Sequence, residues 1–178
     1  MHTMKTFLAT DADAYKALAR HWAASVTVVT AHRDTASLAP DALERDGFTA
    51  TAFLTVSIDP PIILASVTTS SSAAEILKSA KGFAVNLLAA NQSALANAFA
   101  KSQTERAALW ETIGWHAGET GAPLLHGTLG SFEAQLRQII PAGDHLLMLG
   151  DVTAIHHGTG EGSLLYHNRA YGGFQRHE

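Results

Sequence analysis

Thr69-Ser70-Ser71-Ser72 is the stretch of this sequence best suited to hold an anion. It leaves an apolar strand and opens a helix, so free backbone N–H groups and the positive end of the helix dipole face whatever lies beyond. The serine hydroxyls add neutral donors. The same residues also read as a polar turn in which Ser72 caps the helix, with Glu75 three positions on. Glu75 would repel a phosphate unless capping turns it away, and the counter-charge then falls to Lys101 or Arg106.

Other residues carry weaker signals of the same kind. Asn86 interrupts the apolar run Phe83–Leu88. A buried amide needs partners or costs roughly 1–3 kcal/mol, so Asn86 either bonds a neighbouring loop or is aimed at the polar edge of a ligand. Phe99, on an apolar helix face, reads as core. Pro141-Ala-Gly-Asp-His145 reads as a turn between two apolar strands, which sets the His145 ring at a strand mouth where it can face a pocket. Tyr166, Arg169 and Tyr171 place a cation and two rings on a C-terminal loop, as an interface or a binding site would require.

These residues need a wall to face. Between Phe48 and Ile58 the side chains split by parity. Phe48, Ala50, Ala52, Leu54, Val56 and Ile58 are apolar, while Thr49, Thr51, Phe53, Thr55 and Ser57 supply four small hydroxyls and one ring. A period of two sends alternate side chains to opposite faces of a strand, so one face is expected in the core. The other is a row of Thr and Ser without a single charge, unusual for a face turned to water. A hydroxyl-lined wall, an anion-ready helix start, a buried amide and a polar mouth together suit a flat, hydrogen-bonding, phosphorylated ligand.

Several chemistries are disfavoured. No glycine is followed by lysine, so there is no Walker loop, and Gly158-Thr-Gly-Glu-Gly-Ser163 lacks the last glycine of the dinucleotide fingerprint. No nucleophile-elbow serine or zincin histidine pair is present. Of the ten histidines only His156 and His157 are neighbours, and on a strand they face opposite ways, so no metal is expected. Twelve basic against 16 acidic residues give a net charge of −4, which argues against nucleic acid as the main partner. Zero cysteines exclude disulfides and Cys-ligated metals. The N-terminus has no signal-like apolar run and no stretch is long and apolar enough to span a membrane, so a cytoplasmic protein without a membrane partner is expected.

The 178 residues fit one domain over 1–178, long enough to bury roughly two thirds of the unfolded surface. Charged residues make up only 16% against a usual value of about 25%, a hint of a subunit interface or a filled pocket. Along the chain, Thr10-Asp-Ala-Asp13 reads as a helix start, with a hydroxyl at the cap, followed by Tyr15, Leu18, Ala19 and Trp22 at helical spacing. Ser25–Ala31 reads as a buried strand, and 32–46 as a long connection ending in an Asp46-Gly47 turn. The parity-split strand stops at Pro60-Pro61, because proline cannot donate to a ladder. Ile62–Val67 and Phe83–Leu88 are further strands. Helices are expected within 68–80, 91–100 and 104–110, and strands at Trp115 and over 128–139, 146–155 and 164–166. Many strands, few helices and no regular β-α alternation favour a mainly β fold, a closed or nearly closed antiparallel barrel with flanking helices.

In order, VTVVTA, DGFTATAFLTVSIDPP, SSSAAEIL, FAVNLL, NAFA, TGAPLLHGTLGSFEAQL, PAGDHLLMLGDV and LLYHNRAYGGF resemble the short-chain flavin reductases, the reductase components of two-component flavin monooxygenases. The likeness runs from about residue 12 to 174. It implies an FMN-binding split β-barrel with Greek-key strand order, a homodimer, and hydride transfer from NADH or NADPH to FMN or FAD for a separate monooxygenase. A flavin carrier or sensor of the same fold, without NAD(P)H turnover, is the alternative. The resemblance sets Thr49, Ala50, Thr51, Ala52, Val56 and Ser57 along the flavin ring and ribityl chain. It sets Ser70, Ser71 and Ser72 at the phosphate, Asn86 and Phe99 beside the flavin, and Lys101 or Arg106 near the phosphate end. His145, as the catalytic residue, and Tyr171 fall on the nicotinamide side. An uncharged wall would let oxidised flavin enter and reduced flavin leave.

Overall fold

Runs of β-branched and apolar residues become strands wherever glycine, proline or polar clusters punctuate them. The computed structural model describes residues 4–33 and 44–175. Helix α1 (Ala12–Ala19) leads to β1 (Ala24–Ser25), β2 (Thr27–His32), β3 (Arg45–Ala50), β4 (Phe53–Ile58) and β5 (Pro61–Thr68). Helix α2 (Ser72–Ser79), β6 (Gly82–Leu87), α3 (Ser93–Phe99) and α4 (Gln103–Ala107) follow, with a 3₁₀ turn over Ala108–Glu111. The chain then forms β7 (Trp115–Ala117), β8 (Pro123–Leu125), β9 (Gly130–Ala142), β10 (His145–His157), β11 (Leu165–His167) and β12 (Ala170–Gly172). No helix among the described residues is long and apolar enough to cross a membrane.

Seven strands form one antiparallel sheet in the order β3-β2-β6-β9-β10-β5-β4. Its two edges, β3 and β4, are joined by Thr51 and Ala52 alone. Laid flat at about 4.8 Å per strand, those edges would stand roughly 29 Å apart. Three Cα steps reach roughly 11 Å. The sheet must therefore roll up until its edges meet. No ladder links β3 to β4, so the barrel is closed by the chain and open in its hydrogen bonding: an antiparallel split β-barrel with flanking helices, as expected.

Val29, Ala31, Phe48, Ala50, Ile63, Val67, Phe83, Val85 and Met148 fill the interior, and Ala73, Ala74, Ile76 and Leu77 of α2 pack against them. Each large aliphatic side chain buried there contributes roughly 1.5–3 kcal/mol. A second cluster sits on the other face of β2, where Val26 and Val28 meet Ala96 and Phe99 of α3 and Trp110 of the 3₁₀ turn. The Phe99 and Trp110 rings meet edge to face, centroids 5.4 Å apart. This cluster fixes α3 and the 3₁₀ turn against β2.

Four sequence expectations change. The parity-split strand is two strands. Phe48 and Ala50 are buried as alternation requires, but beyond the Thr51-Ala52 link Leu54, Val56 and Ile58 are 57%, 47% and 93% exposed. The cause is topology: β4 is an edge strand paired with β5 alone, with a register shift between Thr55 and Ser57. Second, Asp46-Gly47 is no turn but the middle of β3, with Gly47 pressed so close to the Val29 carbonyl and Phe99 that a Cβ would lie 2.9 Å and 3.1 Å from them. The long connection itself, 34–43, lies outside the described residues.

Third, α1 is capped one residue later than the sequence suggests. No residue of this helix is buried, and Tyr15, Leu18 and the following Trp22 are exposed. Its cap is Asp11 rather than Thr10; the Asp11 carboxylate accepts from the Asp13 and Ala14 N–H groups. Fourth, the C-terminal loop is a hairpin of β11 and β12, turned by Asn168 and Arg169 at φ 47° and 65°, the left-handed pair that two-residue hairpin turns demand.

Candidate functional site

The β3–β4 split leaves a cavity of about 520 Å³ between β3, β5 and the helical segment over α2, α3 and α4. Phe48, Thr49 and Ala50 of β3 line it, with Ala52 of the link and Ser66, Val67 and Thr68 of β5. Ser71 and Ser72 come from the start of α2, and Phe99, Ala100, Lys101, Ser102, Gln103 and Arg106 from the end of α3 and from α4. His145, the first residue of β10, completes it and stands opposite Thr68 in the ladder. The volume falls within the roughly 300–1,000 Å³ common for small-molecule sites.

Each polar group here is held by a protein partner that dictates what it can offer a ligand. Thr49 Oγ1 donates to the Ala96 carbonyl at 2.6 Å, tying β3 to α3 and leaving its oxygen as an acceptor. Ser71, not Ser72, caps α2: its Oγ accepts from the Ala73 N–H at 3.3 Å. Glu75 is turned to solvent by Lys78 at 2.8 Å. Hydrogen bonding by Lys78, then its charge, holds the Glu75 carboxyl below the ordinary range. The repulsion that Glu75 threatened is thereby removed from the helix start.

The reciprocal Ser–Glu capping box foreseen for α2 appears at α4 instead, between Ser102 and Glu105. Arg106, the last turn of that helix, is buried against Asp46 of β3.

At the other wall, His145 Nδ1 lies 2.7 Å from Asp144 Oδ1. Hydrogen bonding with His145, and then its charge, lowers the Asp144 carboxyl below the ordinary range. An ionised Asp144 carboxylate can only accept, so the ring donates through Nδ1 and leaves Nε2 for a ligand. The Asp144 carbonyl takes the N–H and Oγ1–H of Thr69, at 2.9 Å and 3.1 Å, which joins this turn to the loop before α2. The turn itself is tighter than expected. Pro141 and Ala142 belong to β9, which β6 covers only as far as Gln135, so proline there breaks no ladder. Gly143, at φ 62°, makes the bend with Asp144.

Of the residues singled out from the sequence, Thr49, Ala50, Ala52, Ser71, Ser72, Phe99, Lys101, Arg106 and His145 share this cavity. Six do not line it. Thr51 faces a separate recess with Tyr15, Trp22 and Tyr166. Val56 and Ser57 lie on the edge strand β4, and Ser70 is exposed on the loop before α2. Tyr171 donates to Asn97 Oδ1 at 3.1 Å and packs at a tilt against Tyr166, ring centroids 5.3 Å apart.

Asn86 is a core amide. Its Nδ2 donates to the Val28 carbonyl and Thr30 Oγ1, both at 3.0 Å, and its Oδ1 accepts from Leu125 N–H and Ser131 Oγ. With these bonds made and no exposure, nothing of Asn86 is left for a ligand. Phe48, Ser66, Thr68 and Gln103 line the cavity without having been singled out; strand alternation marked Phe48 as core, and no local signal marks the rest.

A second polar cluster lies elsewhere. Glu133 of β9 is fully buried and accepts from Thr120 N–H, Thr120 Oγ1 and His156 Nε2. Burial pushes its carboxyl up, but the bonds from Thr120, His156 and the Glu119 N–H outweigh that and set it below the ordinary range. Among the described residues no three His, Asp or Glu side chains converge as a metal site.

The cavity fits a flavin on its own chemistry. It has neutral hydroxyls, an aromatic edge, a helix start rich in donors and an exposed lysine. Comparison with known proteins agrees. Residues 19–175 match the model of the flavin reductase like domain. An NADH:FMN oxidoreductase of Rhodococcus qingshengii is 37% identical over 164 residues, 88% of this chain and 79% of that protein. The flavin reductase component of a bacterial two-component tryptophan halogenase superposes with a TM-score of 0.80 at 29% identity, over 94% of this chain and all of that one. The NADH:FAD oxidoreductase of Streptomyces globisporus gives a TM-score of 0.83 at 26% identity, over 100% and 96% of the two chains. A family model that spans most of the sequence and a cavity of the matching chemistry lead to one conclusion: this chain belongs to the flavin reductases.

Proposed function

We propose that the chain is an NAD(P)H:flavin oxidoreductase, with FMN or FAD seated in the cavity between β3, β5 and α2. The observation that carries this reading is the cavity wall. Thr49, Ser66, Thr68, Ser71 and Ser72 supply hydroxyls from three elements around one space, and among its lining residues only Lys101, Arg106 and His145 can carry a charge. When bound, the flavin supplies the redox chemistry, accepting hydride from the nicotinamide.

The protein's part is to orient and to solvate. Thr49 offers an acceptor to the polar ring edge, and Ser71 and Ser72 offer donors to the phosphate. Phe48 and Phe99 exclude water from one side. His145, oriented by Asp144, stands where the nicotinamide must approach and presents Nε2 to it. NADH is the favoured donor, since the Rhodococcus and Streptomyces proteins are both named for it.

The reduced flavin serves a separate oxygenase, in keeping with the similarity to a two-component halogenase reductase. A homodimer is part of the same reading: Tyr15 and Leu18 of α1 and Leu54, Val56 and Ile58 of β4 are exposed apolar side chains that a second copy would cover. The cytoplasm is the compartment that suits a nicotinamide-dependent reductase without cysteines.

The test is NADH and NADPH oxidation by the purified chain with and without added FMN or FAD. Oxidation that depends on flavin and saturates with it supports the reading. Flavin binding without oxidation would instead assign a carrier or sensor.

A further inference from the structure

Arg106 is the buried cation of the cavity and the obvious counter-ion for a flavin phosphate. Its bonds point elsewhere. The side chain is 6% exposed, and Asp46, which it pairs with, is not exposed at all. Nε donates to Asp46 Oδ1 at 2.9 Å and Nη2 to Asp46 Oδ2, a bidentate pair that cancels the charge. Nη1 donates to the Lys101 carbonyl, and Nη2 also donates to Ser72 Oγ at 2.8 Å. A guanidinium has five N–H donors. The protein takes four. The Gly47 N–H fixes Asp46 in turn, at 2.8 Å.

The consequence falls on Ser72. A hydroxyl has one proton and two lone pairs. Because Ser72 Oγ accepts a charge-assisted bond from Arg106, its own proton is free to be donated, and the hydroxyl lines the cavity. Ser71 is in the same state: its Oγ accepts from the Ala73 N–H, and it lines the cavity too. Two adjacent hydroxyls are thus turned into donors by protein groups behind them. The fixed charge behind Ser72 sums to zero. Lys101, its side chain 56% exposed and its Nζ 3.6 Å from Glu105 Oε1, is the other cation at this end.

We propose that Asp46 and Arg106 are positioning residues: acting through Ser72, they aim a hydroxyl donor at the terminal phosphate of the flavin, and Arg106 is not that phosphate's counter-ion. The inference rests on the flavin reading above. Asp46 serves the site without touching it, and the phosphate is recognised by hydroxyl and backbone donors with help from Lys101.

FMN and riboflavin share the ring and ribityl chain and differ in the phosphate, so their dissociation constants separate the possibilities. Both are measured by flavin fluorescence for the native chain, Ser72→Ala, Ser72→Thr and Arg106→Lys, each over a salt series. Ser72→Ala is expected to weaken FMN about tenfold, as loss of a charge-assisted bond should, and to leave riboflavin within about twofold; Ser72→Thr restores FMN. Arg106→Lys keeps a cation but cannot bridge Asp46, Ser72 and Lys101 at once, so it loses the FMN preference as Ser72→Ala does. FMN affinity in the native chain changes only shallowly with salt.

The proposal is overturned if Arg106→Lys keeps the full FMN preference, if FMN binding falls steeply with salt in a way that Arg106 controls, or if Ser72→Ala weakens both ligands equally. Should Arg106→Lys fail to fold by circular dichroism, the two Ser72 variants and the salt series decide. A native chain that binds neither ligand would sink the flavin reading itself.

Discussion

Arg106 and Asp46, 60 residues apart in sequence, hold each other by Nε–Oδ1 at 2.9 Å and by Nη2–Oδ2, both buried. The pair pins α4 to β3 and so fixes one wall of the cavity. Removing one partner of a buried pair leaves an uncompensated charge, which costs about 3–5 kcal/mol. Asp46→Ala is expected to lose that much in urea unfolding, and Asp46→Ala combined with Arg106→Met to lose less than the single change. Equal losses for single and double variants would mean that no buried charge had been stranded.

The Glu133 cluster gives a pH dependence of stability with a defined sign. Its carboxyl is held below the ordinary value of 4.5 in the folded chain by the bonds from Thr120 and His156 that outweigh burial. A depressed carboxyl contributes stability that is fully present above the unfolded value and is lost as pH falls through the folded one. Native stability should therefore drop on acidification below about 4.5, with a smaller drop in Glu133→Gln. The check is denaturant unfolding of both chains at neutral and acid pH.

Asn86 is expected to matter for folding and not for the ligand. Asn86→Ala strands the Leu125 N–H and Ser131 hydroxyl in the core, a loss of about 2–3 kcal/mol. Its flavin dissociation constant should stay within about twofold of native, since nothing of the amide reaches the cavity. Thermal melts alongside flavin titration measure both quantities on one sample.

Strands whose burial is two-sided were legible in the sequence. Ser25–Ala31 and Phe83–Leu88 are apolar enough to be buried whichever way they face, and the structure forms β2 and β6 there, while Ile62–Val67 becomes β5, buried on one face and half-buried on the other. Alternation failed past Ala50 because it reports two faces and not what covers them. Leu54, Val56 and Ile58 alternate correctly and still face outward, since β4 closes the far edge of the sheet. Asp46-Gly47 has the composition of a turn, and only the tertiary fold brings Arg106 to it. Asn86 likewise finds partners 37 to 58 positions away, beyond any local signal. Within the site, the helix start at Ser71-Ser72 and the mouth at His145 were legible from strand–helix and strand–turn order. The β5 contribution, Ser66 and Thr68, was not, because alternate small polar residues on a strand look alike on any face.

The apolar faces of α1 and β4 give an expectation about assembly. If a second copy covers β4, Val56→Asp replaces a side chain worth roughly 1.5–3 kcal/mol on burial with a charge. The dimer constant should weaken by at least about tenfold for each 1.4 kcal/mol lost. Sedimentation of the native chain and of Val56→Asp is the check. A native chain that stays monomeric at all concentrations excludes the homodimer.

The central claim is that the cavity between β3, β5 and α2 is where the flavin works. Ala52 lines that cavity yet is exposed, so a large side chain there fills the space without disturbing the core. The decisive measurement is flavin affinity and flavin-dependent NADH oxidation in Ala52→Trp beside the native chain. The expected result is a folded protein whose flavin affinity falls at least about tenfold and whose oxidation falls with it. Unchanged affinity and unchanged turnover in a folded Ala52→Trp would contradict the account.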